Sequence, residues 1–232
     1  MKVEIWSDVV CPFCYIGKRK FEKALEGFEA KEKVEIVWRS FQLAPDLEYV
    51  PGQSVNDYLG KRKGISTEDA KKMNDSVTAI AKEVGLEYNF DKAIINNTLD
   101  AHRLLHLAKS KGVQNELKER LFRAYYTEGA NIGDADTLLQ LGTEMGLAAD
   151  DIRNMLQTDQ YKDEVGQDQY IAQQIGVSGV PFFVFNDKYA VSGAQATEVF
   201  AQVLDRVWDE EKPVLVENAT DGGFCTPDGI CN

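Results

Sequence analysis

Cysteine and histidine are scarce in this chain, with four and two among 232 residues. Four cysteines are too few for a disulfide scaffold of this size, so the fold must be held by its core. Positive charge is outnumbered: 26 Lys and Arg face 38 Asp and Glu, a formal net charge of -12. That balance repels phosphate backbones and anionic lipid surfaces, so neither nucleic acid nor a membrane surface is expected as partner. No apolar run approaches the roughly 20 residues of a membrane span, and Lys2 leads into a strand-like run without a signal-peptide core. A cytoplasmic location is expected on that ground. What is present is ordinary for a globular chain, 44% hydrophobic and 28% charged, and the length suffices to bury a substantial core.

Val3 and Ile5 alternate in a short strand before Ser7-Asp8, and Cys11-Pro12-Phe13-Cys14 then opens a helix. Pro12 suits a first helical turn, and Ile16, Phe21 and Leu25 form its buried stripe to about Gly27. A second strand follows over Val34 to Leu43, giving a parallel βαβ unit. Pro45 to about Gly64 is polar and irregular, with Pro51-Gly52 as a turn. Ser66-Thr67-Glu68-Asp69 then starts a helix in the manner of a capping box. Stripes at Ala70, Met73, Val77, Ile80 and Val84, and later around Leu104, Leu121 and Leu141, predict four or five helices without a repeat period. After one more helix, Pro181-Phe182-Phe183-Val184-Phe185 and Lys188 to Ser192 form a hairpin about Asn186-Asp187, and a helix closes over Ala194 to Trp208. The plan is an α/β chain of βαβ, helical insertion, ββα type. It divides into residues 1–64 and 166–212, an insertion at 65–165, and a tail at 213–232.

The chemistry lies in two close cysteine pairs. Cys11 stands at a helix N-terminus, where unpaired N–H groups and the helix dipole lower a thiol pKa; Cys14, one turn on, can attack a mixed disulfide at Cys11. The same spacing also serves half of a zinc site. Strand, motif and helix in that order, with Gly179-Val180-Pro181 before an aromatic strand, favour redox chemistry: a proline opening a strand leaves neighbouring backbone groups free for a substrate. Asp8 reads as a helix cap or as a proton relay beneath Cys14. His102 and His106 share one helix face but lack an accompanying carboxylate, so surface or interface positions are expected and no metal role. Phe182, Phe183 and Phe185 read as core, with Phe182 placed to line a substrate groove. Cys225 and Cys231 frame the turn sequence Thr226-Pro227-Asp228-Gly229. A second redox or regulatory pair, a passive clamp and a zinc site shared with the first pair are the three readings.

In these features the sequence resembles the DsbA-like branch of the thioredoxin superfamily, FrnE-like proteins in particular. The carriers are Ser7-Asp8, Cys11-Pro12-Phe13-Cys14, the helical insertion and Gly179-Val180-Pro181. The resemblance implies a thioredoxin-like fold, thiol–disulfide exchange with protein or small-thiol substrates, a cis-Pro181 against the active-site pair, and Val180 as a backbone contact for substrate. Pro12 and Phe13 would be accessory. It implies no cofactor beyond the disulfide itself, with glutathione as a candidate co-substrate, and FrnE-like proteins often carry a C-terminal pair like Cys225 and Cys231. One departure is that Phe13 stands where periplasmic DsbA has histidine and cannot donate a hydrogen bond to a Cys11 thiolate. Two rival readings remain: a glutathione-dependent isomerase or transferase of the kappa-class or 2-hydroxychromene-2-carboxylate isomerase type, whose members typically lack the resolving cysteine, and a peptide-binding module.

Overall fold

A computed structural model describes residues 1–212; Cys225 and Cys231 lie outside that range. Strand β1 (Lys2–Ser7) runs into helix α1 (Pro12–Glu26) and on to strand β2 (Glu35–Ser40). Strands β3 (Phe182–Phe185) and β4 (Tyr189–Ser192) and helix α9 (Thr197–Glu211) close the described chain. The four strands order as β2-β1-β3-β4, with β1 and β2 parallel and the other pairs antiparallel. Asn186 and Asp187 both adopt positive φ (49° and 55°) within the three-residue loop, Asn186 to Lys188, that joins β3 to β4 as a hairpin.

Alternation along the strands assigns each face. Val3, Ile5, Phe183 and Phe185 pack with Phe21 of α1 and Phe200 and Leu204 of α9. On the other face Trp6 packs with Phe182 and with Ala172 of α8. Phe182 therefore belongs to this second core layer, in line with its reading as core.

Seven helices separate β2 from β3: α2 (Val55–Lys63), α3 (Thr67–Glu83), α4 (Leu99–Ser110), α5 (Gln114–Arg123), α6 (Ala135–Glu144), α7 (Ala149–Gln157) and α8 (Lys162–Gln174). Ser66 caps α3 as its sequence predicts, its hydroxyl accepting from the Asp69 amide at 3.0 Å. Helix α2 falls in the stretch read as irregular. It is short and mostly polar, yet Ser54 caps it by accepting from the Asp57 amide, and Gly64 ends it in the left-handed conformation. Trp38 of β2 is tied to the insertion by its indole N–H, which donates to Asn115 Oδ1 (3.0 Å), and by its backbone N–H and carbonyl, which bond the oxygen and the nitrogen of the Gln114 side-chain amide.

Candidate active site

Cys11 is the N-cap residue of α1 and Cys14 lies in its first turn; both are free thiols and both are buried, Cys11 to 4% exposure. Pro12 occupies the first helical position, where a missing N–H leaves nothing unpaired. The Val180–Pro181 peptide is cis, and the Cys11 thiol donates to the Val180 carbonyl at 3.4 Å. The structure thus brings Cys11, Cys14, Val180 and Pro181 together across 170 residues of sequence. Gly17 makes the approach feasible: a Cβ there would sit 3.0 Å from Pro181 Cγ. Phe13 is 41% exposed at the surface of the turn.

The Cys11 pKa is raised on balance, against the lowering expected from its place at a helix start. The neighbouring Cys14 side chain, burial and the charge on Asp8 push the thiol well above its ordinary value, and the one opposing contribution is the Cys14 backbone N–H. A helix N-terminus activates a thiol that faces solvent; here the sulfur is enclosed beside a second sulfur.

Asp8 is not a helix cap. Its carboxylate points inward, fully buried, accepting from the Leu43 amide at 2.8 Å and facing His102 Nε2 at 3.2 Å. Burial opposes its ionisation, but His102, the Leu43 amide and Lys118 outweigh that and hold the carboxyl below its ordinary value. Burial likewise depresses the His102 pKa. The pair is therefore an ionised carboxylate accepting from a neutral imidazole, with the proton on Nε2 and a buried, unpaired Nδ1. His106 is also buried and bonds Ser40 Oγ at 3.1 Å and faces Asp168 at 3.2 Å. Both histidines thus sit where the insertion meets the strand layer, and the surface position allowed for them is not adopted.

Sequence reasoning missed Lys118. Its side chain projects from α5 and is wholly buried, with Nζ 3.5 Å from the Ser7 carbonyl at the end of β1. Nζ also lies 4.9 Å from the Phe122 ring centroid and 5.4 Å from that of Trp38. Burial lowers its pKa to about 8, against the pull of Cys14, Asp8 and Cys11. The visible signal was a lysine on the Leu117–Leu121 face, where a charge breaks the apolar stripe. Around it stands an aromatic cluster. Tyr15 stacks on Phe122 (4.7 Å) and Tyr88 on Tyr126 (4.3 Å), while the Tyr88 hydroxyl donates to the Pro12 carbonyl at 2.7 Å and so holds the Cys11–Cys14 turn. One turn of π-helix at Ala124–Glu128, a feature common at functional sites, carries Tyr125 and Tyr126.

A cavity of about 590 Å³ opens beside Cys11, walled by Val10, Leu43, Leu47, Val55, Val77 and Tyr125 among others. No cluster of three or more metal-ligating side chains occurs among the described residues.

With a dithiol at a helix start facing a cis-proline, the chain has the constellation of a thioredoxin-type exchange protein, and it belongs to the DSBA-like thioredoxin domain family, which it matches over residues 2–205. A probable DsbA oxidoreductase from Streptomyces coelicolor shares 40% identity and superposes with a TM-score of 0.85, over 100% of this chain and 98% of the other. An uncharacterised Bacillus subtilis protein, YwbO, is 30% identical across 90% of this chain and 97% of its own. The Pseudomonas aeruginosa cytosolic disulfide reductase DsbM, solved with GSH, shares the fold at 15% identity and a TM-score of 0.64, over 90% of this chain and all of the other.

Proposed function

We propose that this chain is a thiol–disulfide oxidoreductase of the FrnE-like kind, with Cys11 as nucleophile and Cys14 as resolving thiol. The observation that carries the reading is the Cys11 thiol at the start of α1, hydrogen-bonded to the carbonyl that precedes cis-Pro181. The dithiol reduces a substrate disulfide in two steps. The Cys11 thiolate attacks one substrate sulfur, the substrate S–S bond breaks, and the departing thiolate takes up a proton. The Cys14 thiolate then attacks the Cys11 sulfur, a Cys11–Cys14 disulfide forms, and the second substrate thiol leaves. Run backwards, the same steps oxidise a substrate dithiol. Val180 and Pro181 hold the substrate chain beside Cys11. Lys118 and Asp8 supply buried charges of opposite sign near the dithiol. We further propose that the protein works in the cytoplasm, as the reductase whose fold it shares does.

The reading is tested by thiol alkylation and mass spectrometry across a glutathione redox series. A reversible Cys11–Cys14 disulfide is expected, with Cys11→Ser inert and Cys14→Ser trapped as a mixed disulfide. Full turnover by Cys14→Ser would point to the glutathione-dependent isomerase class, and four thiols reduced throughout with copurified zinc would remove the redox reading.

A further inference from the structure

The cavity beside Cys11 is larger than disulfide exchange needs. A peptide laid along the Val180–Pro181 backbone needs room for one side chain, whereas about 590 Å³ lies within the roughly 300–1,000 Å³ of sites that enclose a whole small molecule. Its wall is apolar where β2 leads out through Leu43 and Leu47 and where α2 and α3 contribute Leu59 and Val77. Tyr125 lines it at 2% exposure, and its hydroxyl makes no hydrogen bond to another described residue. Cys11, itself only 4% exposed, lines this cavity.

The charged lining is divided, with the Asp8 carboxylate fully buried near Cys11 and two cations at exposed positions. Arg62 and Lys63, in the last turn of α2, both border the cavity. The Arg62 guanidinium is held there, donating to the Leu43 carbonyl at 2.8 Å and to the Tyr58 hydroxyl at 3.0 Å. Among the described residues neither cation forms an ion pair, in a chain where acidic residues outnumber basic ones by 38 to 26. The end of a helix favours cations in any case, but that preference does not require them to face a cavity.

We propose that this cavity binds a low-molecular-weight disulfide with an apolar body and a carboxylate several carbons from its sulfurs, the carboxylate meeting Arg62 and Lys63 and a sulfur meeting Cys11. The proposal rests on the dithiol reading and names its substrate class. In one turnover the two thiol protons of Cys11 and Cys14 end on the two sulfurs of the small molecule, which is reduced by two electrons while the protein gains the Cys11–Cys14 disulfide. The reduced protein is the only reductant required.

The test uses pre-reduced full-length protein without oxygen, in single turnover, with protein disulfide read by acid quench, alkylation and mass. Lipoate and lipoamide carry the same cyclic disulfide and differ by one charge. Lipoate is expected to oxidise the protein about fivefold faster at low concentration, the scale of an exposed ion pair, and that ratio is expected to fall to about one in the Arg62→Gln/Lys63→Gln variant. Both substitutions are at exposed positions, and circular dichroism checks the fold. Equal rates for the two probes in the unaltered protein, a ratio unchanged in the variant, or faster oxidation by a cystine-linked peptide would overturn the proposal. Octanoate against octanamide, which lack sulfur, reads the cavity alone by calorimetry. Tighter octanoate binding without any Cys11–Cys14 disulfide would fail the dithiol reading and keep the cavity; the reverse pattern would fail the cavity and keep the dithiol.

Discussion

Replacing Lys118 by Met tests the buried charge directly, because Met keeps the length and apolar stem and removes the ammonium. Burial lowers the Lys118 pKa from 10.5 to about 8. At ~1.4 kcal/mol per unit, a proton on this amine costs the folded state roughly 3 kcal/mol at neutral pH. The unfolded chain keeps that proton up to its ordinary pKa and the folded chain releases it near 8. Between the two the unfolded state binds more protons, and the contribution of Lys118 to stability rises with pH. Lys118→Met removes the whole term, together with contacts to the Trp38 and Phe122 rings worth about 1 kcal/mol apiece. The variant is therefore expected to be roughly 1–2 kcal/mol more stable than the parent at pH 7 and, after a relative change of about 3 kcal/mol, roughly 1–2 kcal/mol less stable by pH 10.5. Urea unfolding of the reduced proteins at both pH values measures the difference, and shared titrations of buried tyrosines cancel from it. Parallel stability profiles, or a variant less stable at pH 7, would refute the reasoning.

Alkylation of Cys11 is expected to climb with pH beyond the ordinary thiol range without a plateau at neutrality, and Asp8→Asn to move the rise to lower pH, since the Asp8 charge helps to push the thiol up; a plateau reached by pH 6 contradicts this. Tyr88→Phe removes the bond to the Pro12 carbonyl and should cost about 1 kcal/mol in urea unfolding, with an unchanged midpoint counting against a clamp on the active-site turn. Gly17→Ala sets a helix-propensity gain of at most ~1 kcal/mol against a Cβ 3.0 Å from Pro181 Cγ, and overpacking typically costs about 1–3 kcal/mol. A net loss near 1 kcal/mol with slower exchange is expected, and a variant as stable and as fast as the parent would mean that the proline yields freely.

Much of the fold was legible because its elements are marked locally. Val3 and Ile5 alternate, Ser66 announces a helix, and Asn186-Asp187 sits between two apolar runs; each mark is satisfied within a few residues of itself. The pairing of Cys11 with Val180 and Pro181 was legible only through two motifs read together. What could not be read depends on partners distant in sequence. Asp8 has the position of a cap, and only the approach of His102 and Leu43 turns it inward. Lys118 is one lysine among many until Trp38, Phe122 and the Ser7 carbonyl close over it. The sense of the Cys11 shift was missed although its first cause, the Cys14 side chain, is local; burial adds to it, and together they outweigh the lowering by the Cys14 backbone N–H. Helix α2 escaped notice because its residues are mostly polar and its start rests on a single capping serine.

The route by which Lys118 reaches the dithiol bears on how such chains can be rebuilt. The cation beneath the cysteines is delivered by the segment that also walls the cavity, not by the strands and helix that carry the motif. Grafting the insertion of a relative onto this scaffold would change substrate choice and thiol chemistry in one stroke. Transplanting Cys11 to Cys14 alone into another host would leave behind the buried cation near them.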